Sequence, residues 1–345
     1  MSSEILARVF RGETVESVHR GSIVIVSGTG ERVASVGDPS MVTFTRSSVK
    51  AFQAIPFITS GAADAFGFTE REIALACASH SGEPFHVDLA KQMLAKAGLS
   101  EDDLLCGGHP PFHEGSADEL IRSGVEPGPI YNNCSGKHSA MLAFAKHIGA
   151  DTSKYLDPDG PVQKQILKTI SLFSGIAEDE ILLGTDGCSA PNFALPLSAM
   201  AQAYANLILP PDKFPEEVRA AAKRIVQAMT RFPEYVGGSY RLDTKTMQAF
   251  AGRVVCKVGA EGVWLAGVLP CERWPDGAAF AMKIDDGNDD RARPAAGIEL
   301  LRMLGVMTPE TEAALGEFSP KILKNRREIV VGRVEAAFAT PSELA

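Results

Sequence analysis

The sequence has no apolar run long enough to cross a bilayer. Its start lacks the basic-then-apolar pattern of a secretory signal. Positive charge is in short supply. Lys and Arg number 34 against 43 Asp and Glu, leaving a net charge of −9 and a pI near 5.4. That balance argues against nucleic acid or an anionic membrane as partner. Cysteines are few and scattered, at 77, 106, 134, 188, 256 and 271, and none forms Cys-x-x-Cys. Without a secretory signal no disulfide framework is expected, and most of the six should be small buried hydrophobes. There is no internal repeat, low-complexity tract or linker. Apolar residues make up 45% of 345 positions, enough for a substantial core. The expectation is a single cytoplasmic domain over 1–345.

The order of elements excludes a further class. Residues 5–36 are rich in Val and Ile and broken by Gly12 and Gly28-Thr-Gly30, the pattern of an antiparallel meander. A helical block is expected over 45–250, including helices at 51–58, 69–77, 84–97, 138–148, 161–173, 193–207, 215–230 and 244–250. Residues 102–128 read as mostly loop. Strands return over 254–335, interrupted by a helix at 294–304. There is no βαβα alternation, and Gly28-Thr-Gly30 lacks the rest of a dinucleotide fingerprint. The fold expected is α+β, with the first and last strands in one antiparallel sheet around the helical block.

What the chain does have is a few dense polar motifs. Thr45-Arg46-Ser47-Ser48-Val49-Lys50 heads the 51–58 apolar run. On a helix Ser47 and Lys50 would share one face. A neutral lysine one turn away can take the serine proton, and a helix start disfavours ammonium. The pair alone is weak evidence, because about one Ser-x-x-Lys arises by chance in such a chain. A capping serine and a solvated lysine would be the plainer reading. Further on, Ser79-His80-Ser81 ends one helix, and Lys257-Val258-Gly259 ends a late apolar strand. Ser-x-x-Lys, a serine-rich turn and Lys-x-Gly occur in this order in serine β-lactamases and penicillin-binding proteins. Three ordered elements favour a catalytic Ser47. Two loops, 132–138 and 184–191, place Cys134 and Cys188 among Gly, Ser and charge, a setting too polar for buried hydrophobes. Either the two are zinc thiolates, helped by His138 or Asp186, or they are unpaired structural cysteines.

Five stretches, 45–53, 79–83, 131–138, 185–191 and 257–262, together resemble the rhizobial-type (class 3) L-asparaginases. Among them are Thr-Arg-Ser-Ser-Val-Lys-Ala-Phe-Gln and Tyr-Asn-Asn-Cys-Ser-Gly-Lys-His. The resemblance spans essentially the whole chain. It implies hydrolysis of L-asparagine to L-aspartate and ammonia, a serine β-lactamase/glutaminase-like fold and a homodimer. It also implies two Ser–Lys pairs, Ser47 with Lys50 and Ser79 with Lys257, and a zinc held by Cys134, Lys137 and Cys188. By charge and position, Arg46 and Asp186 are candidates for the substrate's α-carboxylate and α-ammonium, with His138 close by. The rival readings are another Ser–Lys amidohydrolase, acting on glutamine, a β-lactam or a peptide, and a non-catalytic zinc-binding scaffold.

Overall fold

A computed structural model describes residues 3–341. The first two and last four positions of the expected 1–345 domain lie outside the described residues. The backbone gathers into two compact units. One holds the chain up to Ser48, Leu195–Leu209 and the chain from Lys245; the other holds Val49–Ala194 and Pro210–Thr244.

The first unit is built on an antiparallel sheet, and the expected α+β layout is observed in it. Strand order is Lys321–Lys324, Val330–Ala336, Glu4–Arg11, Thr14–Ser27, Ala278–Ile284, Val263–Val268 and Val254–Val258, with Arg32–Val36 also paired to Thr14–Ser27. First and last strands are joined through Val9↔Val334, and Ile25↔Phe280 joins the early and late strands at the centre. The second half of Thr14–Ser27 is buried without alternation, and so is Val263–Val268. Continuous burial means that both faces are covered there. Helix Leu197–Ile208 packs on the central strands, and helix Ala292–Met303 packs on Glu4–Arg11 and Val330–Ala336. Gly297 of the latter helix lets its backbone approach the ring of Trp264, which is fully buried.

The expected helix over 193–207 is corrected. Pro191–Pro196 is a strand and the helix is Leu197–Ile208. Pro196 would fall inside the longer helix, where its ring clashes with the preceding turn and its missing N–H breaks the ladder. It stands instead as N-cap at φ −57°, ψ 143°.

In the second unit, helix Ser135–His147 is the centre. It packs against Lys50–Thr59, Glu70–Ala76, Pro84–Lys96 and Pro161–Ser174, and every residue from Ser135 to Ala145 is buried. A helix enclosed on all sides buries whatever side chains its first turn carries. That is how Lys137 and His138 come to lie inside. Gly136 is required there, since a Cβ would strike the backbone of Leu75. The 102–128 stretch contains an unexpected helix, Glu114–Ser123, with no buried residue. Its apolar residues Ala117, Leu120 and Ile121 do fall at helical spacing, but the stretch is short and none of them is buried. The His113 side chain caps it by accepting from the Ser116 N–H, and Gly124 ends it in the left-handed region.

Candidate active site

Lys50 is the first residue of its helix and is only 1% exposed. Its Nζ donates to the Ala78 carbonyl, to Ser79 Oγ at 2.9 Å and to Cys134 Sγ at 3.0 Å. Ser79 is held by its own backbone, whose N–H donates to the Val236 carbonyl at 3.0 Å. An ammonium has three donors, and these three acceptors use all of them. As a neutral amine Lys50 would keep two of the bonds and present a lone pair.

Beside Ser79, His80 is fully buried. Its Nδ1 accepts from the Gly82 N–H at 3.2 Å, so Nε2 carries the proton and donates to Ser135 Oγ at 2.9 Å. Burial, then the neighbouring charges of His86, Lys50 and His109, push its pKa well below the ordinary imidazole value. It is a neutral structural imidazole at neutral pH. His86 stacks on it at 4.9 Å and is depressed to about 4, chiefly by burial.

Cys134 is the N-cap of Ser135–His147, and its N–H donates to Asn132 Oδ1 at 2.8 Å. Asn132 in turn binds the carbonyls of Cys106 and Gly107 at 2.9 and 3.0 Å. Lys137 Nζ donates to Cys188 Sγ at 3.1 Å. The thiols of Cys134 and Cys188 lie within hydrogen-bonding reach of each other. The Cys188 thiol is pulled well below the usual range by the bond from Cys134 and then by Lys137. Cys134 is raised by Cys188 and by burial. Burial opposes charge on Lys137, but Cys188, Cys134 and Asp186 outweigh it and raise its pKa above the usual lysine value. His138 Nδ1 pairs with Tyr155 Oη at 2.6 Å, and Tyr155 also accepts from the Leu105 N–H at 2.9 Å. His138 Nε2 is buried, with the Cys188 sulfur beside the ring. Burial lowers its pKa to about 4, although Cys188 lies close enough to favour protonation.

Among the described residues no disulfide joins any of the six cysteines. Cys77, Cys106 and Cys256 are the buried hydrophobes expected, and burial pushes the Cys106 thiol up to about 12. Cys134 and Cys188 are buried as well, each 3% exposed, contrary to the polarity of their loops. Lys137 and Lys50 reach in from helix starts to satisfy their sulfurs.

The remaining site residues belong to the sheet unit. Arg46–Val49 is a 3₁₀ turn, so Ser47 precedes the helix that Lys50 opens and does not lie on it. Ser48 is buried. Its Oγ donates to the Thr45 carbonyl at 2.7 Å, and its own carbonyl accepts from Tyr204 Oη at 3.0 Å. Arg46 adopts φ +50°, rare for a long side chain, and pairs with Glu261 at 3.7 Å. Lys257 is fully buried on its strand, with Nζ donating to the Val258 carbonyl at 2.9 Å. Gly259 lies against the same turn, where a Cβ would meet the Thr45 carbonyl, and its own carbonyl accepts from Arg293 Nη1 at 2.7 Å.

Lys50, Ser79 and Cys134 are therefore in one cluster with Cys188, Lys137, His138 and Asp186. In the other unit, Arg46 is part of the Ser47 turn, and Lys257 lies on the strand that leads to Gly259 beside it. Tyr155, Asn132 and Tyr204 were not singled out in the sequence; each works through backbone or ring contacts that no local motif announces.

Among curated protein sequences none matches this chain. Similar solved structures include a probable glutaminase from Bacillus subtilis complexed with 6-diazo-5-oxo-L-norleucine. It is 12% identical over 83% of this chain and 84% of that one, with TM-score 0.37. Bacillus glutaminase in 4.3 M NaCl is 12% identical over 83% and 91%, with TM-score 0.40. A mutant class A β-lactamase of the last common ancestor of Gram-negative bacteria is 13% identical over 84% and 92%, with TM-score 0.38. Likenesses this loose say nothing of activity. The sequence pattern of L-asparaginase II, by contrast, matches residues 7–336, nearly the whole chain, and this protein belongs to the L-asparaginase II family of amidohydrolases.

Proposed function

We propose that the chain hydrolyses L-asparagine to L-aspartate and ammonia through an acyl-enzyme on Ser47. The observation that supports this reading most is the buried Lys50 amine, bonded to Ser79 Oγ and wedged against Cys134. Ser47 Oγ attacks the side-chain amide carbon, and neutral Lys50 takes the hydroxyl proton. The C–N bond breaks, and the same proton passes to the leaving nitrogen, which departs as ammonia. Water then attacks the ester carbon, gives a proton to Lys50, and frees aspartate as Ser47 recovers its hydrogen. Ser79 and Lys257 relay protons around Lys50. Arg46 holds the α-carboxylate and Asp186 the α-ammonium, with His138 beside them.

The donor set fits a zinc ion. Two facing sulfurs lie in one place, one of them with its pKa pulled down, and the Lys137 amine reaches the same sulfur. Among the described residues no group of three or more His, Cys, Asp and Glu is arranged around a metal. Cys134, Cys188 and the Lys137 amine would therefore hold it, and Lys137 must lose its proton to do so. When bound, zinc would supply a fixed positive charge to orient the substrate and brace the two loops. We place the protein in the cytoplasm as a homodimer, which light scattering checks.

A coupled ammonia assay over asparagine, glutamine and simple amides, with nitrocefin alongside, tests the reading. Asparagine should be turned over fastest. Preference for glutamine or nitrocefin would replace the substrate, and no turnover of any amide by zinc-loaded protein would leave a scaffold. Lys50→Arg should be as inactive as Lys50→Ala, since a guanidinium gives up no proton at working pH.

A further inference from the structure

A cavity of about 380 Å³ opens in the helical unit, lined by Ser81, Glu83, Phe112, His113, Tyr240 and Arg241 together with Glu114 and Gly115. It shares no residue with those assigned to hydrolysis. Its floor is tightly built. Ser81 Oγ donates to the Gly237 carbonyl at 2.9 Å, and Gly238, at φ +122°, leaves no room for a Cβ against Ser81 and Glu83. Glu83 is only 6% exposed, yet it has no cationic partner among the described residues. Its carboxylate accepts from the Ser239 N–H at 2.8 Å and from Ser239 Oγ at 2.6 Å. It is also the N-cap of Pro84–Lys96, where the helix dipole offsets part of its charge. A buried carboxylate is ordinarily paired with a cation.

Arg241 stands on the wall, its guanidinium over the Phe112 ring at 5.6 Å, and it forms no ion pair among the described residues. Stacking leaves its planar fork of donors free for a carboxylate. His113 and Tyr240 lie parallel, 6° apart in plane and 6.5 Å between centroids, and supply an apolar side. The charges decide the ligand class. A simple cation would be repelled by Arg241, and a simple anion by Glu83 and Glu114. A zwitterion satisfies both ends, and the volume is at the small-ligand end of binding cavities, which begin at about 300 Å³.

We propose that this cavity is a second amino-acid site, taking the α-ammonium of a free α-amino acid on Glu83 and its α-carboxylate on Arg241. Which amino acid it takes rests on the asparaginase reading: L-asparagine as substrate or L-aspartate as product. Calorimetric titration of the full chain carrying Ser47→Ala, with L-asparagine, L-aspartate and succinate in separate runs, tests it. Two classes of site are expected for an amino acid, and succinate, which lacks the amine, should fill only one or neither. Adding Arg241→Gln should weaken one class at least tenfold. Glu83→Gln should do the same, and the exposed-side Arg241 variant keeps the test sound if Glu83→Gln fails to fold. In the otherwise native enzyme Arg241→Gln should leave kcat/KM at low asparagine unchanged. Whichever amino acid shows the Arg241-sensitive class identifies the source. A single class of site, or isotherms unaltered by Arg241→Gln, overturns the proposal. Failure of the asparaginase reading would show separately, in the ammonia assay, with the aspartate isotherm intact.

Discussion

The cluster around Lys50 and the corner around Ser47 are built in opposite ways. The first is side chain on side chain: Lys50 on Ser79 and Cys134, Lys137 on Cys188, His138 on Tyr155. The second is mostly backbone. Ser48 bonds the Thr45 carbonyl, Tyr204 bonds the Ser48 carbonyl, Arg293 bonds the Gly259 carbonyl, and Gly259 presses on Thr45. A cluster of side chains can be dismantled one functional group at a time. A backbone corner transmits every change to the position of the residue it presents. Substitutions in the cluster should thus act on the chemistry first, and substitutions that shift the corner's backbone should change chemistry and stability together.

Two side chains inside the corner separate the effects, and Ser47 gives the largest. Ser47→Ala should lower kcat by about a thousandfold or more with an unchanged melting temperature, the scale of losing a nucleophile. Its neighbour should do the reverse. Ser48→Ala loses a buried hydrogen bond worth about 1 kcal/mol and keeps most activity. Equal losses of activity in the two variants would dissolve the distinction. Ammonia release and thermal melts on the same samples decide.

Gly259→Ala tests the corner directly. The added methyl meets the Thr45 carbonyl, so about 1–3 kcal/mol of stability should go, together with tenfold or more of kcat. Wild-type turnover in a destabilised Gly259→Ala protein would uncouple the corner from the reaction.

On the cluster side, Cys188→Ser should raise KM about tenfold with a smaller change in kcat, and should abolish zinc in elemental analysis of protein purified without chelator. Cys106→Ser, whose thiol is protonated and bonded to the Pro129 carbonyl, should keep both. Zinc retained by Cys188→Ser would remove that residue from the ligand set.

An effect on stability alone, outside both regions, is expected in its pH dependence. His86 titrates at about 4 in the folded chain and near 6.5 unfolded. Between those values the unfolded chain binds the extra proton, so stability falls as pH drops below about 6.5. His86 should cost about 2 kcal/mol at pH 5 relative to pH 7. Urea midpoints at the two pH values should converge in His86→Gln, though not fully, because burial also holds His80 and His138 neutral. An unaltered slope in that variant would place the titration elsewhere.

Serine is common at helix starts and turns, so Ser47, Lys50 and Ser79 became candidates only through the order of three motifs along the chain. The two cysteines drew notice by their polar loops, and the sheet of first and last strands by its richness in Val and Ile. What stayed hidden depends on distant partners. The sequence pairs Ser79 with Lys257 only through family likeness, while the bond observed at Ser79 comes from Lys50. Burial of Cys134 and Cys188 depends on lysines brought in by folding, not on the polarity of their own loops. Pro196 could have been read as a helix boundary from its ring alone. The Glu114–Ser123 helix offered only a short cue, Ala117, Leu120 and Ile121 before Gly124, set among loop signals.

The chain's two tryptophans, Trp264 and Trp274, both belong to the sheet unit. One is sealed under Gly297 and the other is tied through Nε1 to the Leu304 carbonyl at 2.9 Å. Indole emission therefore watches only half of the molecule directly. Melting of the helical unit would pass almost unseen in fluorescence while dominating the circular dichroism at 222 nm. Recording both signals during one denaturation resolves whether the two units come apart together or in turn.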